Sequence, residues 1–294
     1  MQPSNYLRIT FLVTLLLLMG ACEKDITSEV KINSQPMLVV TSFISPQDTG
    51  LVVKVSKTRP AVGVVTSNSA KVTDATVSIS NGTRAVRLNY DATRDIYWTE
   101  ASTLPILPGE TYLLTVSTPD GAQVTASCTV PVTEGIAFTK LEHSITTESY
   151  EGQGDYYRHS FDFQWQDAAG QENYYHALSL LEYFEPGLNR NRRLPLDNYG
   201  EKVFFSDEKQ DGQLFASVGK FQYSSQDVLP SPLYLEAHLS VTDRPYYLYH
   251  ESIEKQNQTN GNPFAEPVII YTNIQGGLGV FAAYNQIRAV KQIN

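Results

Sequence analysis

Apolar and polar positions alternate through residues 36–132, a pattern typical of strands with one buried face. The pattern predicts six strands, at Met37–Ile44, Leu51–Val55, Ala75–Ser80, Val86–Tyr90, Thr111–Ser117 and Val124–Val130. The dipeptide Asn81–Gly82 separates two of them and predicts a hairpin turn, because both residues tolerate a positive φ. Short strands at about ten-residue spacing predict a β-sandwich domain over residues 36–132.

A larger, β-rich C-terminal domain is predicted for residues 133–294, after a boundary at Pro131–Gly135. Strand-like alternation recurs at Phe161–Trp165, Phe215–Phe221, Leu233–Leu239 and Val280–Tyr284. The segment Tyr246–Gln256 follows Pro245 and has apolar side chains at helical spacing, so it predicts one short helix. The predicted fold class is therefore mainly β.

The first 25 residues predict export and lipid attachment. Ile9–Met19 is apolar, but it is too short to cross a hydrocarbon core about 30 Å thick and matches the centre of a signal peptide. The small residues before Cys22 resemble a bacterial lipobox. We therefore expect residues 1–21 to be a signal peptide, Cys22 to be lipidated and residues 22–35 to be a tether, with an ordinary secretory signal as the alternative. Glu23–Asp25 resembles a surface-export signal, and a solvated tether is the alternative there.

The charge of the chain makes nucleic acid an unexpected partner. Lys and Arg number 22 against 31 Asp and Glu, which gives a formal charge of −9, and no long basic stripe is present to neutralise phosphates. Cys128 lies on an apolar strand face, where it is expected to be a small buried side chain rather than a reactive thiol.

Local motifs predict no catalytic site, metal or cofactor. The five His residues lack the spacing of zinc ligands, and no nucleophile elbow occurs. Asp162–Glu172 lacks the alternating Asp ladder of a calcium loop. Two alternatives stay open, because a zinc site or a pair of catalytic carboxylates assembled only by folding leaves no local motif. The second of these would make the protein a hydrolase.

Contact with a partner or ligand is predicted at six residues: Tyr246, Tyr247, Tyr249, Asn273, Gly276 and Gly277. Tyrosine combines apolar area with a polar tip, which suits a binding face, and core packing is the alternative. The glycines lack the Lys-Ser/Thr ending of a phosphate loop and favour a tight turn, although backbone contact with a partner stays open. The basic run Arg190–Arg193 predicts a solvated loop, with contact to an acidic barrel loop or lipopolysaccharide phosphate as the alternative.

Four features occur in order along the chain: Cys22–Asp25 before an apolar strand, the alternating Val72–Ile79, Pro108–Gly109 followed by Tyr112, and Thr272–Phe281. Together they resemble the Bacteroidota outer-membrane lipoproteins grouped as domain of unknown function 4249. The Pro-Gly-x-x-Tyr element is also similar to carboxypeptidase-regulatory-like sandwiches, which implies an immunoglobulin- or transthyretin-like fold for the N-terminal part. The family resemblance implies an association with TonB-dependent receptors and no established catalytic residues.

These observations lead us to expect a non-enzymatic lipoprotein of the outer membrane, anchored through Cys22. It would be exposed at the cell surface, with the periplasmic face as the alternative. Its expected role is that of an accessory or ligand-capture subunit of a TonB-dependent β-barrel receptor. The alternative is a stand-alone surface lipoprotein that binds a glycan or peptide, and the hydrolase is less favoured.

Overall fold

The computed structural model describes residues 36–59, 70–150, 154–198, 200–224, 232–259, 264–266 and 268–293. The predicted signal peptide, Cys22 and the tether lie outside these residues. The strands are β1 (Leu38–Ile44), β2 (Gly50–Lys57), β3 (Thr76–Ser80), β4 (Ala85–Asp91), β5 (Ile96–Glu100), β6 (Thr111–Ser117), β7 (Gln123–Thr129), β8 (Ala137–Tyr150), β9 (Gly154–Gln166), β10 (Tyr174–Glu185), β11 (Arg190–Pro195), β12 (Phe204–Ser206), β13 (Leu214–Ser224), β14 (Leu233–Thr242) and β15 (Leu278–Ile293). The α-helix of the described residues, α1, spans Arg244–Thr259.

Two sheets contain these strands. The larger has the order β11-β10-β14-β15-β1-β2-β5-β4-β3-β6-β7, with β12 paired to β10. The smaller has the order β13-β9-β8. Among the described pairings, β1 and β15 run parallel, and the other strand pairs are antiparallel. The chain is therefore mainly β with one helix, as the pattern predicts.

Three hydrophobic clusters form the core. The first lies among β1 to β7 and contains the fully buried Tyr112. The second lies between the small sheet and β10, β14 and β15, around Trp165. The third lies between α1 and the other face of β10 and β15, and it includes Phe204 of β12. Strand β15 contributes to all three, through Phe281, Ile293 and Val280 respectively.

The strands predicted between residues 37 and 130 are confirmed as β1, β2, β3, β4, β6 and β7. The predicted hairpin connects β3 to β4: Asn81 Oδ1 accepts a hydrogen bond from the backbone N–H of Arg84, and Gly82 has a φ of +87°. Cys128 is buried in the first cluster, as predicted, and burial holds its pKa well above the usual value.

The helix begins two residues earlier and ends three residues later than the sequence pattern predicts. Asp243 caps its first turn, since Asp243 Oδ1 accepts a hydrogen bond from the Tyr246 N–H at 2.9 Å. Among the described residues, no helix has both the length and the apolar character needed to cross a bilayer.

Candidate functional site

Helix α1 covers one end of a sheet face formed by β10, β14 and β15. Tyr246 and Tyr247 are 9% and 8% exposed and belong to the cluster beneath the helix, whereas Tyr249 is half-buried. The Tyr246 hydroxyl lies 2.9 Å from His176 Nδ1, and its ring contacts Phe43 edge-on. Packing therefore occupies most of the surface of Tyr246 and Tyr247, and Tyr249 is the more accessible of the three predicted contact residues.

Asp243 links the helix to β15. Its Oδ2 accepts a hydrogen bond from the Ala283 N–H at 3.0 Å, while its backbone N–H donates to the Ala283 carbonyl oxygen. Burial raises the pKa of Asp243 to about 7, because loss of hydration outweighs the hydrogen bonds that stabilise the carboxylate. This carboxyl group thus has a structural role and an unusual titration range.

The other predicted contact residues precede β15 and hold it in place. Asn273 Nδ2 donates to the Phe281 carbonyl oxygen at 2.7 Å, and Asn273 Oδ1 accepts from the Phe281 N–H. Gly276 is exposed, with a φ of +81°, in a turn between Ile274 and Gly277. Gly277 is buried, and a Cβ there would meet the Leu38 carbonyl oxygen. The glycines therefore form the predicted turn and allow close backbone approach.

Beyond the helix, the sheet face formed by β11, β10, β14 and β15 is uncovered by other described elements. Side chains that alternate with the core residues of these strands lie on it, and register brings them together across the strands. We call this surface the open face and define it by Leu178, Glu182, Phe184, Arg193, Glu236, His238, Arg288 and Val290. The apolar members Leu178, Phe184 and Val290 are 41%, 44% and 46% exposed.

An ion network forms the centre of the open face. Arg193 Nε lies 2.7 Å from Glu182 Oε2, and Arg193 Nη2 lies 3.5 Å from Glu236 Oε1. Arg288 Nη2 contacts Glu236 Oε1 and lies 3.9 Å from Glu182 Oε2. His238 Nε2 lies 2.7 Å from Glu236 Oε2. Hydrogen bonds to Glu236 and Arg193 hold the pKa of Glu182 below its ordinary value.

The acidic side chains of this network are more deeply buried than the basic ones. The Glu236 and Glu182 side chains are 0% and 14% exposed, whereas Arg193 and Arg288 are 50% and 42% exposed. Carboxylates therefore lie beneath the guanidinium groups, and the cationic groups are presented to solvent. Sequence reasoning placed Arg193 in a basic run but missed the face, because its residues lie on four strands separated along the chain.

A cluster of three acids is the closest approach to a metal site among the described residues. Carboxylate oxygens of Asp167, Asp207 and Asp211 lie within 4.8 Å of one another. Each also accepts a backbone N–H: Asp167 from Gly212 at 2.7 Å, Asp207 from Asn173 at 2.9 Å, and Asp211 from Gly170 at 2.8 Å. These bonds connect the β9–β10 loop to the β12–β13 loop, so the acids are best explained as a clamp between loops.

A groove of about 320 Å³ lies between the small sheet and residues 201–205. Its lining includes Asp162, Gln164, Lys140 and Ser217, and Phe205 forms part of its wall with Lys202 above the ring. This combination of polar groups with an aromatic ring could hold a small polar ligand.

A histidine pair lies on the inner side of the same sheet, where His143 Nε2 is 2.8 Å from His159 Nδ1. Burial lowers the pKa of His159 to about 4, so the His159 side chain is uncharged at neutral pH. His159 also stacks against Phe221. Its role in this geometry is packing among aromatic rings.

Fold and surface together define a mainly β protein with a helix across one end of a sheet and an organised, uncovered surface beside it. The family model for domain of unknown function 4249 matches residues 23–289, so the chain belongs to that family. The match to domain of unknown function 4249, which the sequence motifs predict, is thereby confirmed. A comparison with curated proteins gave no significant match.

Proposed function

We propose that this protein is a non-enzymatic accessory or ligand-capture subunit of a TonB-dependent receptor complex, anchored in the outer membrane through lipid on Cys22. The lipobox-like sequence before Cys22 supports the anchor, and membership of the family supports the assignment to this kind of lipoprotein. The expected orientation is toward the cell exterior.

The observation that carries the proposal is the open face. Protein interfaces are enriched in arginine and aromatic side chains and place apolar groups beside organised polar ones. The open face combines Arg193 and Arg288 with the exposed Leu178, Phe184 and Val290. Because the ion network already holds the two guanidinium groups, little side-chain entropy is lost when a partner binds them.

Lipid attachment would make such a surface effective at modest affinity. An anchor confines the protein to the membrane plane, which raises its effective concentration beside a receptor in the same membrane. Docking through the open face would then hold the subunit against the barrel while it captures or admits the ligand.

Affinity purification of full-length tagged protein from gently solubilised outer membranes tests the proposal, with Cys22→Ala as the matched variant. We expect a barrel of TonB-dependent type in near-stoichiometric amount with the wild-type protein and a large loss with the variant. Recovery of the lipoprotein alone, under detergents that preserve known barrel complexes, would contradict the proposal.

A second candidate is a stand-alone lipoprotein that binds a glycan or peptide, and the groove beside Phe205 favours it. In this case the chain without residues 1–21 should bind a glycan in an array experiment in the absence of any receptor. The variant Asp162→Asn should weaken binding, whereas Asp155→Asn, at the far end of β9, should leave it unchanged.

A further inference from the structure

The open face has more hydrogen-bond donors than its own residues use. Arg288 makes both of its contacts to carboxylates through Nη2, and Arg193 uses Nε and Nη2. Within the described part of the chain, the remaining N–H groups of these two guanidiniums have no acceptor. A guanidinium has five donors arranged to bind carboxylate or phosphate oxygens, so an external anion would satisfy them.

Both guanidinium groups contact the same two carboxylate oxygens, Glu236 Oε1 and Glu182 Oε2. They are therefore close enough for neighbouring acidic groups of one ligand to engage both. The carboxylates beneath them fix their positions, as is needed for a preorganised anion site.

Apolar side chains flank this pair along the strands. Leu178 lies opposite His238 and Val290 lies opposite Glu236 in the strand register, and Phe184 is two residues beyond Glu182 on β10. A free phosphate ion would leave these side chains exposed to water. A segment that alternates acidic and apolar residues would cover them and neutralise the guanidiniums together.

The charge of the whole chain favours a protein segment over a lipid surface. With a formal charge of −9, the molecule is repelled by an extended anionic membrane, whereas a narrow acidic segment meets mainly the local cationic groups. We propose that the open face docks an acidic segment of a partner protein, with its carboxylates on Arg193 and Arg288 and its apolar side chains on Leu178 and Val290. This inference rests on the proposed function, which it deepens by giving the chemistry of the contact.

A peptide-binding measurement tests the inference without a known partner. The probe is a fluorescent peptide of alternating Asp and Leu, titrated with the full-length lipoprotein in detergent micelles, beside a peptide in which Lys replaces Asp. We expect the acidic peptide to bind more tightly, and its affinity to fall with rising salt because the charges are exposed. Equal binding of the two peptides would overturn the inference.

Two matched double variants locate the contact. Arg193→Gln with Val290→Ser should weaken the acidic peptide about tenfold or more, since it removes one charged and one apolar contact. The control, Arg192→Gln with Leu194→Ser, changes residues on the opposite face of β11 and should alter affinity less than about twofold. Thermal melts establish that both variants are folded. An equal loss with both, or stronger binding to phosphatidylglycerol vesicles than to the peptide, would overturn the inference.

Crosslinking separates this inference from the proposed function. A photoreactive benzoylphenylalanine at position 290 in the co-purified complex should attach to an acidic segment of the barrel protein. If the barrel co-purifies but the crosslink reaches a basic segment, lipid or nothing, the inference fails while the accessory role stands. If no barrel co-purifies and the peptide results are as expected, the accessory role fails while the acidic-segment site stands.

Discussion

At the residue scale, burial determines what the polar side chains of this protein can do. Tyr174 and Tyr175 are adjacent on β10 and both buried, because this strand has a hydrophobic cluster on each face. The sequence predicts that one ring of such a pair faces the core, but it cannot show that the second face is covered by a helix formed 70 residues later. Asp243 and Glu236 are likewise buried by elements distant in sequence.

The carboxyl group of Asp243 makes the free energy of unfolding depend on pH. Its pKa is about 7 in the folded protein against an ordinary 3.8, so the folded state favours the protonated form. The resulting contribution to stability is complete below about pH 4 and is lost as the pH rises through 7. We expect the free energy of unfolding, measured by urea denaturation, to fall more steeply over this range in the wild type than in Asp243→Asn. Parallel curves would contradict this assignment.

Removal of the Arg288 guanidinium tests the buried carboxylate of Glu236. We expect Arg288→Ala to lower the free energy of unfolding by about 1–3 kcal/mol, because Glu236 loses its nearest cation while His238 and Arg193 remain. Arg192→Ala removes an exposed pair with Glu185 and should cost less than about 1 kcal/mol. Equal costs in chemical denaturation would show that Glu236 is better hydrated than the structure indicates.

At the element scale, the strands predicted from the sequence are those with a clear apolar pattern, such as Leu233–Leu239 in β14. Strand β8 was missed because both of its faces carry polar residues, as in Lys140–Glu148. Strand β15 was predicted only at Val280–Tyr284, where its residues are apolar, although pairing with β14 extends it to Ile293. The open face could not be predicted, since Arg193, Glu236 and Arg288 become neighbours only through the strand order.

Glycine at position 279 makes the parallel pairing of β1 and β15 feasible. Gly279 lies opposite Val40 with a φ of +106°, and a Cβ would collide with the Val40 carbonyl oxygen. We expect Gly279→Ala to cost about 3 kcal/mol or more in unfolding free energy. Gly82 also has a positive φ, but a Cβ at this position would meet no neighbouring atom. We therefore expect Gly82→Ala to lower the unfolding free energy by only about 1–2 kcal/mol. A smaller loss at position 279 than at position 82 would contradict this account of the pairing.

At the scale of the whole molecule, β15 connects parts of the chain that the sequence pattern divides at residue 132. It pairs with β1 on one side and with β14 on the other, and its side chains enter all three hydrophobic clusters. Loss of contacts in the first cluster should therefore be transmitted to the second through this strand, so we predict that the two parts unfold together.

The two tryptophans allow this prediction to be measured. In a Trp98→Phe background, Trp165 fluorescence reports on the second cluster alone. Phe281 is fully buried in the first cluster, and Phe281→Ala should cost about 3–5 kcal/mol. If the protein unfolds as one unit, this substitution lowers the urea midpoint seen by Trp165 and the midpoint seen by circular dichroism equally. If residues 36–132 unfold on their own, the urea midpoint reported by Trp165 is unchanged, because Phe281 belongs to the first cluster and Trp165 to the second.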